Sequence, residues 1–252
     1  MKRPREMPSP SAMSLREEII ANYVSSSPGI HRVCTDRDVQ SFIKAYRWHL
    51  RGWLPSDPDA RWLDIACGQG QVMSLAQDAG FKRILGVDLS DEMLASCQAR
   101  GLDVRKDDAM AFITGAPQES FGVVSAFDFL EHLSKSDALD LLRQARRVVK
   151  PGGAVLLKVP NGSSPWVGDI FFSDMTHESM WTPASLAQLA RLAGFTDVQF
   201  REVGPVPHGP VSITRFLLWR AVRLLRRFLN AIETGSGGSI VTTRVMLAKL
   251  MG

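Results

Sequence analysis

The stretch RWLDIACGQG, residues 61–70, decides the fold. Trp62, Leu63 and Ile65 form a short apolar run broken only by Asp64. The small residues Ala66, Gly68 and Gly70 follow, then the amphipathic segment QVMSLAQD. This order predicts a strand buried on both faces, a tight turn and a helix. Glycine in the turn lets a ligand approach the backbone closely, and N–H groups at the helix start point towards it. A dinucleotide fingerprint requires glycine again three residues after Gly70, where Met73 stands, so a pyrophosphate is not the expected ligand. An acid followed by small-x-Gly-x-Gly suits a nucleoside that carries an amino acid. Asp64 would then hold the ammonium end, directly or through water, with Ala66, Gly68 and Gly70 leaving room for it. The bland alternative is a tight turn that binds nothing.

Outward from this segment the same grammar repeats. Apolar runs lie at 83–89 (RILGVDL), 102–106 (LDVRK), 121–127 (FGVVSAF) and 153–160 (GAVLLKVP). Helical patterns at 70–79, 91–99, 107–114 and 136–149 separate them, so the expected architecture is a parallel sheet with helical crossovers. Residues 196–203 and 239–249 alternate like a sixth and a seventh strand. Two more strand-end acids join Asp64. Asp88 in Gly86-Val87-Asp88-Leu89-Ser90 follows it by 24 positions and could accept from ribose hydroxyls; Asp107 or Asp108, followed by Ala109, could accept from an adenine amino group. Each acid alone could be a helix cap, as Ser90 could be. Three in order at one sheet edge make a site, because ligands of such sheets bind at the carboxyl ends of the strands.

The order WLDIACGQGQ, GVDLS, DDA, VVSAFDFLEHL and VVKPGGAVLLKVPN resembles class I S-adenosylmethionine-dependent methyltransferases of the small-molecule and ubiquinone-methyltransferase-like kind, over about residues 60–160. The resemblance implies an α/β fold: a Rossmann-like, doubly wound seven-stranded sheet, mostly parallel with an antiparallel last strand. It assigns Asp64, Ala66, Gly68 and Gly70 to the methionine end of S-adenosyl-L-methionine and Asp88, with Leu89 beside it, to the ribose. Asp108 and Ala109 fall to the adenine, and Ala126 and Phe127 to the sulfonium side. Ala66 departs from the usual glycine, and Gly122 stands where the fourth strand usually starts with an acid. The segment PNGSSPWVGDIFFSDMTHESMWTPASL and the arginine-rich stretch after it are similar to methyltransferases found with bacterial polysaccharide and glycan biosynthesis.

That likeness makes a sugar or glycan hydroxyl the favoured acceptor, with a quinone or natural product as the alternative. A catalytically silent binding protein of the same fold is the rival of another class. A hydroxyl acceptor needs a base. His177 is the first candidate, with Asp174 as its orienter or as an alternative base; His132, in Leu130-Glu131-His132-Leu133, is its competitor. Either histidine could instead be structural. Asp174, His177 and Glu178 could also hold a divalent metal, but no metal ligand is assigned.

Five arginines and no acid occupy 215–227. On a helix over 214–233 they share an arc of about 140°, with most of the leucines opposite. Such a helix packs on the sheet or in a homodimer, or it docks on an anionic membrane surface. No aromatic–basic recognition module accompanies it, so no nucleic acid is expected.

The whole chain of 252 residues, 45% hydrophobic and 22% charged, is sufficient for one decorated α/β unit. The expected division is a flexible tail at 1–30, a helical cap at 31–58 whose helix runs over 36–54, and a methyltransferase domain at 59–252. Within that domain lie a cofactor-binding core at 60–160 and a lid at 161–182. No apolar run is long enough to span a bilayer, and no apolar stretch follows the basic residues of the N-terminus as in a secretory signal. Cys34, Cys67 and Cys97 lack metal-ligand spacing, so reduced thiols are expected. The expected location is cytoplasmic, with peripheral association at the inner face of the membrane left open.

Overall fold

The computed structural model describes residues 33–238 and 241–252, together with Glu18, Ile19 and Asn22. The expected tail at 1–30 otherwise lies outside the described residues. Seven strands form one sheet in the order β3-β2-β1-β4-β5-β7-β6. They are β1 Trp62–Ile65, β2 Ile84–Asp88, β3 Val104–Lys106, β4 Phe121–Phe127, β5 Val149–Pro160, β6 Asp197–Glu202 and β7 Val245–Met251. β1 to β5 pair in parallel, and β7 runs antiparallel to both β5 and β6. The expected seven-stranded topology is therefore present. The last strand, expected at 239–249, occupies Val245–Met251, and residues 239 and 240 lie outside the described set.

Helices cover both faces. α1 (Asp36–His49), α2 (Gln71–Asp78) and α3 (Asp91–Ala99) pack on one. α4 (Ala109–Gly115), α5 (Lys135–Val148) and, after the short α6 (Gly168–Phe171), α7 (Pro183–Leu192) serve the other. β1 shows why the runs lack polar alternation: Leu63 and Ile65 enter the core under α4, α5 and α7, while Trp62 enters the core under α1 to α3. Both sides of a doubly wound sheet are dry, so both registers must be apolar. α1 begins with a capping box in which the Thr35 hydroxyl accepts from Asp38 N and the Asp38 carboxylate accepts from Thr35 N. It ends at His49 rather than 54; Leu50 and Trp53 continue into the core from the turn that follows.

The segment at 161–182 is fastened at both ends. Asn161, fully buried, donates through its amide to the carbonyls of Val241 and Thr243. The N–H groups of Glu178 and Ser179 donate to the Glu131 carbonyl.

The arginine-rich helix packs through part of its basic arc. α8 runs over Pro210–Thr234, starting with proline at its first position and stopping at Gly235 in the left-handed conformation. Arg223 and Arg226, not the leucines, face the body of the protein. Arg223 pairs with Glu202 at 3.1 Å, and Arg226 donates to the carbonyls of Thr242 and Ser163, both at 2.9 Å. Trp219 lies in the same arc as these arginines and packs against Trp166 and Gly204. No residue of α8 is buried, and Leu218, Leu224, Phe228 and Ile232 are each more than 60% exposed.

Candidate active site

The strand order reverses between β1 and β4, and a cavity of about 790 Å³ opens there, beyond the carboxyl ends of the strands. Its wall includes Asp64, Ala66, Gly68, Asp88, Leu89, Asp108, Ala109 and Phe127, as the sequence predicts. Ala126 and Gly70 are corrections. Ala126 is 2% exposed and points into the core beneath Phe127, because neighbouring strand residues face opposite ways. Gly70 is the N-cap of α2 with φ of 72°. A Cβ on it would come within 2.4 Å of Leu102 Cδ1 and 2.9 Å of Cys97 Sγ, so it serves close packing rather than the cavity.

Gly68, at φ of 52°, is the glycine that faces open space: an added Cβ would meet nothing within 4 Å. Ala66 also adopts positive φ, at 50°, a conformation that costs any residue but glycine some backbone strain.

Asp64 is 1% exposed. Register pairs it with Ser125 of β4. The Ser125 hydroxyl accepts from the Trp62 indole N–H at 2.7 Å and donates to Asp64 Oδ1. Asp64 Oδ2 is buried and lacks a hydrogen-bond partner among the described residues. Burial pushes this carboxyl up to about 7, against the lowering effect of the Ser125 hydroxyl. A buried carboxylate oxygen on a cavity wall, with its twin already held, is a receptor for a cation.

Asp88 joins two loops. Its Oδ2 accepts from Gly68 N at 2.8 Å and its Oδ1 from Ser90 N at 2.9 Å. Burial raises its pKa, opposed by these backbone donors. Ser90 caps α3 through Met93 N, so Asp88 keeps acceptor capacity towards the cavity. Asp108 accepts from Ala111 N at 2.8 Å and caps α4 while lining the wall.

The two histidine candidates part here. His132 lines the cavity; His177 and Asp174 stand behind that wall. His132 Nδ1 lies 2.7 Å from Thr176 Oγ1, and the Thr176 hydroxyl donates to Asp174 Oδ1 at 2.6 Å. Since the one hydroxyl proton goes to Asp174, His132 Nδ1 carries the proton donated to Thr176, and the ring's Nε2 keeps the lone pair. Burial, then the neighbouring His177, lowers the His132 pKa to about 4. His177 donates from Nδ1 to the Phe171 carbonyl, with its ring 4.7 Å from that of His132. The metal-capable group is also not the expected one. Glu131, His132 and His177, rather than Asp174, His177 and Glu178, bring ligand atoms within 4.8 Å of one another.

Three parts of the site have no role in the sequence reading. Ser125 and Thr176 matter only through their partners. Lys158 of β5 lines the cavity in an ion pair with Asp128; burial, the largest single effect, would lower its pKa, but Asp128 together with Tyr46 and Glu131 raises it. α1 supplies Asp38, Ser41 and Phe42 to the wall, and Cys34 N donates to Gln69 Oε1 at 2.7 Å, so the helical cap closes the site. The three cysteines are free thiols.

A doubly wound sheet with an acid-lined cavity at its switch point defines a nucleoside-binding α/β class, and comparison with known proteins narrows it. The methyltransferase domain family matches residues 36–200. YqeM of Bacillus subtilis, named as a methyltransferase, is 31% identical over 183 residues, which cover 64% of this chain and 72% of YqeM. A ubiquinone biosynthesis O-methyltransferase of Pseudomonas entomophila is 34% identical over 105 residues, 39% of this chain and 44% of that protein. The match thus spans less than half of that relative's length. The crystal structure of a SAM-dependent methyltransferase from Archaeoglobus fulgidus shares the fold, with a TM-score of 0.64 at 19% identity over 91% of this chain and 99% of that one. The chain belongs to the methyltransferase domain family and is an S-adenosylmethionine-dependent methyltransferase of class I.

Proposed function

We propose that this enzyme methylates a hydroxyl oxygen of a sugar or glycan intermediate. The observation that carries the reading is the Asp174–Thr176–His132 chain ending at the cavity wall. A hydroxyl must lose its proton as the new bond forms, and an imidazole fixed in one tautomer can take it. Bound S-adenosylmethionine supplies a methyl group already activated by its sulfonium charge. The unpaired Asp64 Oδ2 fits the donor's ammonium, Asp88 its ribose, and Asp108 with Ala109 its adenine. Gly68 leaves space for its backbone-side approach, and Phe127 covers the sulfonium side. His132 Nε2 accepts the acceptor's proton, and Asp174, through Thr176, stabilises the imidazolium so formed. Alignment supplies the rest, because positioning two reactants is itself a large part of the barrier.

Asp38, Ser41, Asp128 and Lys158 in the wall favour a polyhydroxylated acceptor. Phe42, Phe127 and Phe129 in the same wall favour the second reading, a flat small metabolite such as a quinol. Methyl transfer from labelled S-adenosylmethionine to cell-envelope glycans and sugar nucleotides, run beside quinols, separates the two. Label in the glycan fraction alone is expected. Label in the quinol alone would replace the first reading with the second, and failure to bind S-adenosylhomocysteine would make the chain a silent member of its fold.

A further inference from the structure

The outward face of α8 is the feature of the molecule that the chemistry leaves unused. At about 100° per residue, Leu217, Leu218, Leu224, Leu225, Phe228 and Leu229 fall within an arc of about 140°, and each is at least 54% exposed. The named residues run from Leu217 to Leu229 of this 25-residue helix, so the apolar stripe extends for roughly 18 Å. A continuous stripe of that length is an interaction surface, unlike scattered exposed leucines. Arg220 and Arg227 border it on one side and Arg215 on the other, all three exposed, about 40–60° outside the apolar arc. Between residues 210 and 232 there is no acid.

We propose that α8 lies in the surface plane of an anionic lipid bilayer, its leucine face at the acyl-chain boundary and its three bordering arginines among the headgroup phosphates. Charge decides against a second copy of the chain as the occupant. Two such faces brought together would set arginine borders side by side with no carboxylate between them to neutralise them. The chemistry of the face decides against a protein groove. Trp219, Arg223 and Arg226, the residue types that anchor protein interfaces, already face this protein's own body. Leucine and phenylalanine bordered by arginine are the composition of in-plane membrane helices. No helix among the described residues is long and apolar enough to cross a membrane, so the association is peripheral. α8 is joined through Arg226 and Trp219 to the segment that brings Thr176 to the cavity wall, so docking would seat the acceptor side of the enzyme near the bilayer.

Co-sedimentation of the full chain with phosphatidylcholine vesicles, containing or lacking phosphatidylglycerol, tests this. Binding to the anionic vesicles only is expected, weakening steeply from 0.1 to 1 M salt as screening shortens. Replacing Arg215, Arg220 and Arg227 with Gln should weaken binding about a hundredfold, from roughly 1 kcal/mol for each basic residue near an anionic surface. The variant L224S/L225S/F228S/L229S should not bind, while its calorimetric affinity for S-adenosylhomocysteine stays unchanged. Should that variant fail to fold, the arginine variant alone decides. No binding by the parent chain, equal binding to both vesicle types, or equal binding by the arginine variant would overturn the proposal. So would a dimer in analytical ultracentrifugation that the serine variant dissolves, which would give the face to a second copy.

Discussion

Asp64 takes its chemistry from two neighbours and from its burial. Trp62 donates to Ser125 and Ser125 to Asp64, so one carboxylate oxygen is committed and the other is presented bare to the cavity. Its pKa is raised from 3.8 to about 7, so between those values the folded chain holds a proton that the unfolded chain has released. This carboxyl's contribution to stability therefore falls as pH rises through that window. Ligand affinity moves the other way, because an ammonium needs the ionised form. Calorimetric affinity for S-adenosylhomocysteine should fall by up to about tenfold for each pH unit below about 7, and Asp64→Asn should flatten that profile. His132 is the second test at this scale. His132→Ala should lower kcat by roughly a hundredfold or more with donor affinity unchanged, the usual size of a general-base contribution. Thr176→Val should cause a smaller loss of the same kind, since it releases the ring without removing it. His177→Ala, behind the wall, should retain most turnover; if it loses as much as His132→Ala, the assignment of the base is reversed.

Elements place these groups through their ends. β1, β2 and β4 stop at one sheet edge, so Asp64, Asp88 and Phe127 converge although 63 positions separate the first from the last. The start of α2 is set by Gly70, whose missing side chain admits Leu102 and Cys97. Gly70→Ala should cost roughly 1–3 kcal/mol from overpacking and left-handed strain, read as a lower urea midpoint, while Gly68→Ala should cost less stability and more donor affinity. The two glycines stand two residues apart and look alike in a motif, yet one faces the core and the other the ligand.

The whole molecule couples the cavity to its stability, because the cap helix, both halves of the sheet and the 161–182 segment all contribute to one wall. A ligand that binds only this folded wall stabilises it by mass action, about 2.7 kcal/mol at a hundred times its dissociation constant. S-adenosylhomocysteine should therefore raise the Tm measured by calorimetry, and Asp88→Ala, which frees the Gly68 and Ser90 N–H groups, should abolish most of that rise. The sheet, its order of strand-end acids and a cavity beside them were all legible in the chain, because period, glycine turns and caps are local signals. Ser125, Thr176 and Lys158 were not, since each acquires its role from a partner on another strand or loop. The same limit explains the exchange of His177 for His132 at the wall. By itself the sequence determined that α8 is amphipathic and where its arginines lie. Which face turns inward depended on Glu202, Ser163, Trp166 and Thr242, brought together by the fold from distant parts of the chain. An amphipathic pattern specifies two faces and their separation; only the surface offered by the rest of the protein selects the one that is covered.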